Sequence, residues 1–129
     1  MNSLQNIQTK KTILVVEDDA DTRLAICAML ETLGYEHLAF GSARDALSGV
    51  PGKHIDLALL DIMMPEMNGY ELLAELKKIP GFENLPIIMV TARDQDNEII
   101  EGYKCGADYY ITKPFTSAQL KYGISTFLE

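Results

Sequence analysis

Three short runs of the chain are almost entirely apolar, and they limit the fold more than any other feature. They are residues 12–16 (TILVV), 55–60 (IDLALL) and 85–90 (LPIIMV). A strand that is apolar on both faces is usually covered on both faces, as the strands of a parallel sheet are. Weaker alternating runs at 35–40 (YEHLAF) and 108–112 (DYYIT) predict two further strands, so that we expect five strands.

A helical pattern follows each predicted strand, and each pattern begins near a residue that can cap a helix. These residues are Asp19, Ser42, Asn68, Asp94 or Asp96, and Thr116. The fourth of these helices carries Ile99, Ile100 and Tyr103, whereas Gly34 ends the first. The last helix contains Gly123, which costs about 1 kcal/mol relative to alanine. Strand and helix alternate five times, which predicts an α/β fold: a doubly wound, mostly parallel sheet with five helices on its two faces.

The bulk properties exclude several classes of protein. The 129 residues suit one domain, and we expect a flexible N-terminal lead over residues 1–10 and one folded domain over residues 11–129. The net charge of −8 argues against direct binding of nucleic acid. No apolar run is long enough to span a membrane, and the polar N-terminus does not resemble a secretory signal. Cys27 and Cys105 lack metal-ligand spacing, so we expect free thiols and a cytoplasmic location.

Reactive side chains lie where the predicted strands end. In open sheets of this kind, ligands bind beyond the carboxyl ends of the strands. The residues at these ends are Glu17, Asp18 and Asp19 after the first strand, Asp61 after the third, Thr91 at the end of the fourth and Lys113 at the end of the fifth. We therefore expect three acids, a hydroxyl and an ammonium group to meet at one edge of the sheet, while Asp19 caps the helix that follows.

The acidic residues predict a cation site. Two carboxylates about 5 Å apart repel by ~3 kcal/mol at an effective dielectric constant near 20. Carboxylate oxygens suit Mg²⁺, and Lys113 can balance a further negative charge. With Mg²⁺ held by Asp18 and Asp61, the Asp61 carboxylate is a candidate nucleophile that forms an aspartyl-phosphate. The Lys113 ammonium and the Thr91 hydroxyl would then bind other phosphoryl oxygens.

Four motifs carry a resemblance to a known family. The segments VVEDD, DIMMPEMNG, TAR and YYITKPF, in this order and over residues 12–128, resemble the receiver domain of two-component response regulators. The resemblance implies the flavodoxin-like strand order 2-1-3-4-5. It also implies a phosphoacceptor of a phosphorelay rather than an enzyme that acts on other molecules, although the domain catalyses its own phosphorylation and dephosphorylation.

The resemblance assigns a role to each residue of the site. Asp61 matches the phosphoacceptor, and Lys113 matches the lysine that pairs with the phosphoryl group. Asp18 matches the direct Mg²⁺ ligand and Glu17 the acid that acts through water. Met63 matches the residue whose backbone carbonyl coordinates Mg²⁺.

The resemblance also implies a conformational switch. Thr91 matches the switch hydroxyl, which moves towards the phosphoryl group, and Tyr110 matches the switch aromatic, which fills the space that Thr91 leaves. The peptide bond between Lys113 and Pro114 is expected to be cis. The surface that partners read is expected to combine the fourth predicted helix, the fifth strand and the last helix.

The expected partners are a histidine kinase or histidine phosphotransfer domain and a downstream target or output domain, without membrane contact; a dimer formed on phosphorylation is a further expectation.

Two alternative functions are less favoured. A Mg²⁺-dependent phosphatase or phosphotransferase with an Asp nucleophile usually has a second Asp two residues on, where this chain has Met63. A receiver-like interaction module that is not phosphorylated would not need every reactive position filled. A single-domain regulator and a receiver from a longer protein both remain open.

Overall fold

The structure is a computed structural model that describes residues 10–92 and 106–129. These residues form the strands β1 (Thr12–Val16), β2 (Glu36–Phe40), β3 (Leu57–Asp61), β4 (Ile87–Thr91) and β5 (Tyr109–Thr112). They also form the helices α1 (Ala20–Thr32), α2 (Ala43–Gly49), α3 (Gly69–Lys77) and α4 (Ser117–Leu128). The predicted fourth helix, with its caps Asp94 or Asp96, lies outside the described residues, as do Cys105 and residues 1–9 of the predicted lead over residues 1–10. None of the four helices found in these ranges is long and apolar enough to cross a membrane.

The five strands form one parallel sheet in the order β2-β1-β3-β4-β5, which confirms the predicted strand order. β3 and β4 begin and end later than the predicted runs, so Asp61 and Thr91 are the last residues of their strands. β4 begins only after Pro86, because proline has no N–H to donate to a neighbouring strand. β5 ends at Thr112, and Lys113 follows it.

Two apolar cores cover the two faces of the sheet. On β1, Ile13 and Val15 pack on the face that α1 and α4 cover, whereas Leu14 and Val16 pack on the face that α2 and α3 cover. Every residue of β3 and β4 is buried, as predicted for central parallel strands. The edge strands β2 and β5 are only partly buried. Because all five strands are parallel, their carboxyl ends lie at one edge of the sheet.

The predicted helix caps are confirmed wherever the structure describes them. Asp19, Ser42, Asn68 and Thr116 each accept a hydrogen bond from a backbone N–H in the first turn of the following helix. Gly34, just after α1, has a φ of 91° that favours glycine. Gly123 has a packing reason, since a Cβ there would lie 3.2 Å from side-chain atoms of Ile111 and Tyr109. The small residue lets α4 approach β5 closely.

Candidate functional site

Three carboxylates meet at the carboxyl edge of the sheet. One oxygen each from Glu17, Asp18 and Asp61 lies within 4.8 Å of the others. β1 and β3 are adjacent, and Val16 is paired with Leu60, so the residues that follow this pair are neighbours. Glu17 is only 1% exposed and Asp61 5% exposed, whereas Asp18 is exposed. The sheet thus buries two like charges side by side and leaves a third at the surface.

Glu17 is held by its backbone and by its carboxylate. Its N–H donates to the Phe40 carbonyl at 3.1 Å, and its carbonyl accepts from Arg23 Nη1 at 2.7 Å. The carboxylate oxygen Oε2 accepts from the Asp19 N–H at 3.2 Å. The other oxygen, Oε1, lies 2.8 Å from the Lys113 ammonium, which is an ion-pair distance, but no group in the described ranges makes a well-aligned hydrogen bond to it. This buried oxygen still has capacity for a cation.

The loop after Asp61 depends on a glycine. A Cβ at Gly69 would lie 2.5 Å from the Asp61 carbonyl oxygen, so no larger residue fits without a shift. The Gly69 N–H donates to the Ile62 carbonyl at 3.0 Å, which closes the loop. The side chain of Met63, two residues after Asp61, is 59% exposed. The loop therefore folds back on the strand end and leaves the Asp61 carboxylate facing Glu17.

Lys113 reaches both buried acids. Its Nζ lies 2.8 Å from Glu17 Oε1 and 3.4 Å from Asp61 Oδ1. The Lys113 N–H donates to the Thr91 carbonyl at 2.7 Å, which anchors the residue just past β5. The peptide bond from Lys113 to Pro114 is cis, as the resemblance implied. Burial lowers the pKa of Lys113, but the Glu17 and Asp61 carboxylates outweigh it and raise that pKa above its ordinary value.

The electrostatics of the site favour the uptake of a positive charge. Burial, with the Glu17 carboxylate as the next contribution, raises the pKa of Asp61 to about 7, although Lys113 acts in the opposite direction. One ammonium group therefore does not balance the buried acids. The donor set contains carboxylates and no His or Cys, which fits a hard divalent cation such as Mg²⁺.

Asp19 has a separate role, as predicted. Its Oδ2 accepts from the Thr22 N–H at 2.9 Å and from the Thr22 hydroxyl at 2.6 Å. These hydrogen bonds lower the pKa of Asp19. The carboxylate caps α1, and it is not one of the three grouped acids.

Thr91 and Tyr110 lie on the neighbouring strands β4 and β5. Thr91 is buried, and its hydroxyl donates to the Ala92 carbonyl at 3.2 Å. Tyr110 is half-buried on β5, and its hydroxyl lies 3.1 Å from the hydroxyl of Tyr70. Tyr70 could not be found from the sequence, because a tyrosine in the first turn of a helix carries no signal of a contact with β5.

Comparisons with known proteins point to one family. A profile of the response regulator receiver domain matches residues 13–125. The phosphate regulon transcriptional regulatory protein PhoB of Pseudomonas aeruginosa is 42% identical over 110 residues, which are 85% of this chain and 48% of that protein. The probable transcriptional regulator ycf27 of Porphyridium aerugineum is 37% identical over 120 residues, which are 93% of this chain and 49% of that protein. The chain thus spans about half the length of these curated relatives.

Solved structures agree with the sequence relatives. The chemotaxis protein CheY4 of Vibrio cholerae is 25% identical with a TM-score of 0.88, covering 92% of this chain and 99% of that chain. The receiver domain of the sensor histidine kinase PA1611 of Pseudomonas aeruginosa is 27% identical with a TM-score of 0.84, covering 93% of this chain and 98% of that chain. The latter has a magnesium ion coordinated in its active site cleft.

Proposed function

Because the chain belongs to the family of response regulator receiver domains, which are signalling phosphoacceptors of two-component systems, we propose that Asp61 is its phosphoacceptor. One observation carries this assignment: Asp61 is a buried carboxylate beside Glu17 and Asp18, with the Lys113 ammonium 3.4 Å from its Oδ1. In this arrangement the negative charge is concentrated where a cation and a phosphoryl group would be held. Phosphoryl transfer needs positioning and charge neutralisation more than covalent chemistry.

The cation of this proposal is Mg²⁺. Asp18 and Asp61 would bind it directly, Glu17 through a water molecule and Met63 through its backbone carbonyl. Two features support the assignment: the oxygen-only donor set and the burial of Glu17 beside Asp61, with one ammonium group shared between the two carboxylates. Bound Mg²⁺ would supply the positive charge that offsets the phosphoryl oxygens.

In the proposed reaction, an Asp61 carboxylate oxygen attacks phosphorus in line. The new bond joins this oxygen to phosphorus, and the bond between phosphorus and the donor histidine nitrogen breaks. Lys113 is placed to turn from the two carboxylates to a phosphoryl oxygen, since its Nζ already lies between Glu17 and Asp61. Attack of water on the acyl phosphate would later restore the carboxylate.

The proposed switch connects Thr91 to Tyr110. A new phosphoryl oxygen is a stronger acceptor than the Ala92 carbonyl, because it is charged. The Thr91 hydroxyl would move towards the phosphoryl oxygen, and the Tyr110 side chain would follow inward. This movement would change the contact between the Tyr110 and Tyr70 hydroxyl groups. The surface that changes would include β5 and α4, where Tyr109 packs against Tyr122 with ring centroids 6.4 Å apart. The remaining helix of the proposed surface lies outside the described residues.

The proposed partners follow from the family. A histidine kinase or histidine phosphotransfer domain would supply the phosphoryl group. The relatives named transcriptional regulators are about twice as long as the part they share with this chain, so an output domain is a natural downstream element of the proposal. A free downstream protein, a dimer formed on phosphorylation and a cytoplasmic location stay predictions.

The decisive experiment exposes the protein to a small acyl phosphate with Mg²⁺ and follows the intact mass. We expect a gain of one phosphoryl group that Asp61→Asn and a chelator each abolish, whereas the control Asp108→Asn is modified normally. A gain that survives Asp61→Asn would overturn the assignment. A phosphatase would instead turn over a phosphate ester repeatedly, and an interaction module without phosphorylation would show no mass change.

A further inference from the structure

The guanidinium of Arg23 lies in the notch between the ends of β1 and β2. Arg23 belongs to the second turn of α1, and its Nη1 donates to the Glu17 carbonyl at 2.7 Å. Gly41, just after β2, forms the floor of this notch, because a Cβ there would come within 3.0 Å of Nη1. The side chain thus reaches back across six residues to the strand end from which the acids project.

The group that Arg23 holds is the peptide between two acids of the site. The carbonyl of Glu17 and the N–H of Asp18 belong to one planar unit, so fixing the carbonyl fixes the start of Asp18 as well. The Glu17 N–H is bound to the Phe40 carbonyl at 3.1 Å, so the residue is held on both of its backbone sides. Rotation of this peptide would swing the Glu17 and Asp18 carboxylates away from Asp61.

We infer that Arg23 is a positioning residue of the cation site: its hydrogen bond to the Glu17 carbonyl holds Glu17 and Asp18 in the orientation that binds Mg²⁺. The inference rests on the proposed function, because it presupposes that the three acids hold the cation. Mutation of a residue that orients metal ligands through hydrogen bonds commonly lowers metal affinity by roughly 10–100-fold.

The direction in which Mg²⁺ affinity changes when Arg23 is replaced distinguishes a positioning role from an effect of its charge alone. Arg23 is a cation close to a cation site, and through charge alone its removal would strengthen Mg²⁺ binding. Through positioning, its removal would weaken binding, since the Glu17–Asp18 peptide would be free to rotate. The two explanations therefore predict opposite changes.

The experiment measures Mg²⁺ binding by isothermal titration calorimetry. We expect Arg23→Gln to weaken binding about tenfold and Arg23→Lys, which keeps one donor and the charge, to weaken it about threefold. Gly41→Ala crowds the guanidinium without changing its charge, and it is expected to weaken binding to an intermediate extent. Arg44→Gln removes an equal charge from an exposed site on α2 and should leave binding unchanged.

A measurement without Mg²⁺ completes the test. In chelator, the backbone amide signal of Asp18 in a ¹H–¹⁵N NMR spectrum should shift in Arg23→Gln and Gly41→Ala but not in Arg44→Gln. The same spectra show whether each variant is folded, and Gly41→Ala carries the test if Arg23→Gln does not fold. Tighter or unchanged Mg²⁺ binding in Arg23→Gln and Gly41→Ala, with normal wild-type binding, would overturn the role of Arg23 alone. A wild-type protein that binds no Mg²⁺ would overturn the proposed function and this inference together.

Discussion

Acidic side chains stand at both ends of the parallel sheet, but in opposite situations. At the amino ends, Asp56 accepts from the Thr12 N–H and Asp108 from the Ile87 N–H, each at 2.8 Å. At the carboxyl ends, Glu17 and Asp61 are buried beside each other and share the Lys113 ammonium. Asp56 and Asp108 each accept from the N–H of the residue at the start of a strand, whereas Glu17 and Asp61 lie beside each other with one ammonium group between them. The acids at the amino ends therefore have hydrogen-bond donors, and the two buried acids at the carboxyl ends repel each other and favour a cation.

This difference predicts that removing one acidic charge has opposite effects at the two ends. Burial raises the pKa of Asp61 from its ordinary 3.8 to about 7. In the metal-free protein, the protonated Asp61 carboxyl therefore contributes fully to the free energy of unfolding below about pH 4. This contribution is lost as the pH rises through about 7. At ~1.4 kcal/mol per pKa unit, the loss is on the order of 4 kcal/mol.

The largest expected effect is accordingly a gain of stability in Asp61→Asn. In chelator near pH 8 this variant should be more stable than the wild type by ~2–4 kcal/mol in urea unfolding, and by much less below about pH 4. If Asp61→Asn were less stable than the wild type near pH 8, or if the stability difference did not depend on pH, the described contrast between the two ends of the sheet would be wrong.

Protons and Mg²⁺ should compete at the carboxyl ends alone. Because the Asp61 carboxyl must ionise to bind a metal, Mg²⁺ affinity is expected to fall about tenfold for each pH unit below about 7 and to level off above it. Calorimetric titrations over this range measure the slope. Asp108→Asn, at the amino ends, should show the same profile as the wild type, and a flat wild-type profile would disprove the competition.

Two glycines test how tightly the carboxyl ends are packed. Gly69→Ala places a Cβ 2.5 Å from the Asp61 carbonyl oxygen, so we expect a loss of ~1–3 kcal/mol and weaker Mg²⁺ binding. Gly52→Ala meets no atom within 4 Å, and its φ of 81° costs about 1–2 kcal/mol without affecting Mg²⁺. Equal Mg²⁺ affinities of the two variants would show that the loop after Asp61 tolerates the shift.

The smallest expected effect is a loss at the amino ends. Asp56→Ala removes the acceptor of the Thr12 N–H, and it should destabilise the protein by ~1 kcal/mol at neutral pH. Phosphorylation and Mg²⁺ binding should not change, which the mass and calorimetric measurements check. A gain of stability, as expected for Asp61→Asn, would mean that the two ends do not differ in the way described.

Much of the fold was predictable because its signals are local. The apolar runs, the helix caps and the alternation of strands with helices each depend on residues close together in the chain, and the strand order followed from the family resemblance. The bounds of β3 and β4 were predicted less well. The start of β4 was set too early because Pro86 lacks the N–H with which a strand could begin to pair. The reasons for Gly69 and Gly123 also escaped the sequence, because each depends on an atom that another element brings near.

The chain by itself determined which chemical groups lie at the carboxyl edge, since the strand ends carry Glu17, Asp18, Asp61, Thr91 and Lys113 in any parallel arrangement of this order. The tertiary structure decided how these groups are held. It buried Glu17 and Asp61 together and brought Tyr70 to Tyr110, and it placed the Arg23 guanidinium on the carbonyl of Glu17. Burial and hydrogen-bond partners depend on the packing of distant segments, and no pattern of neighbouring residues encodes them.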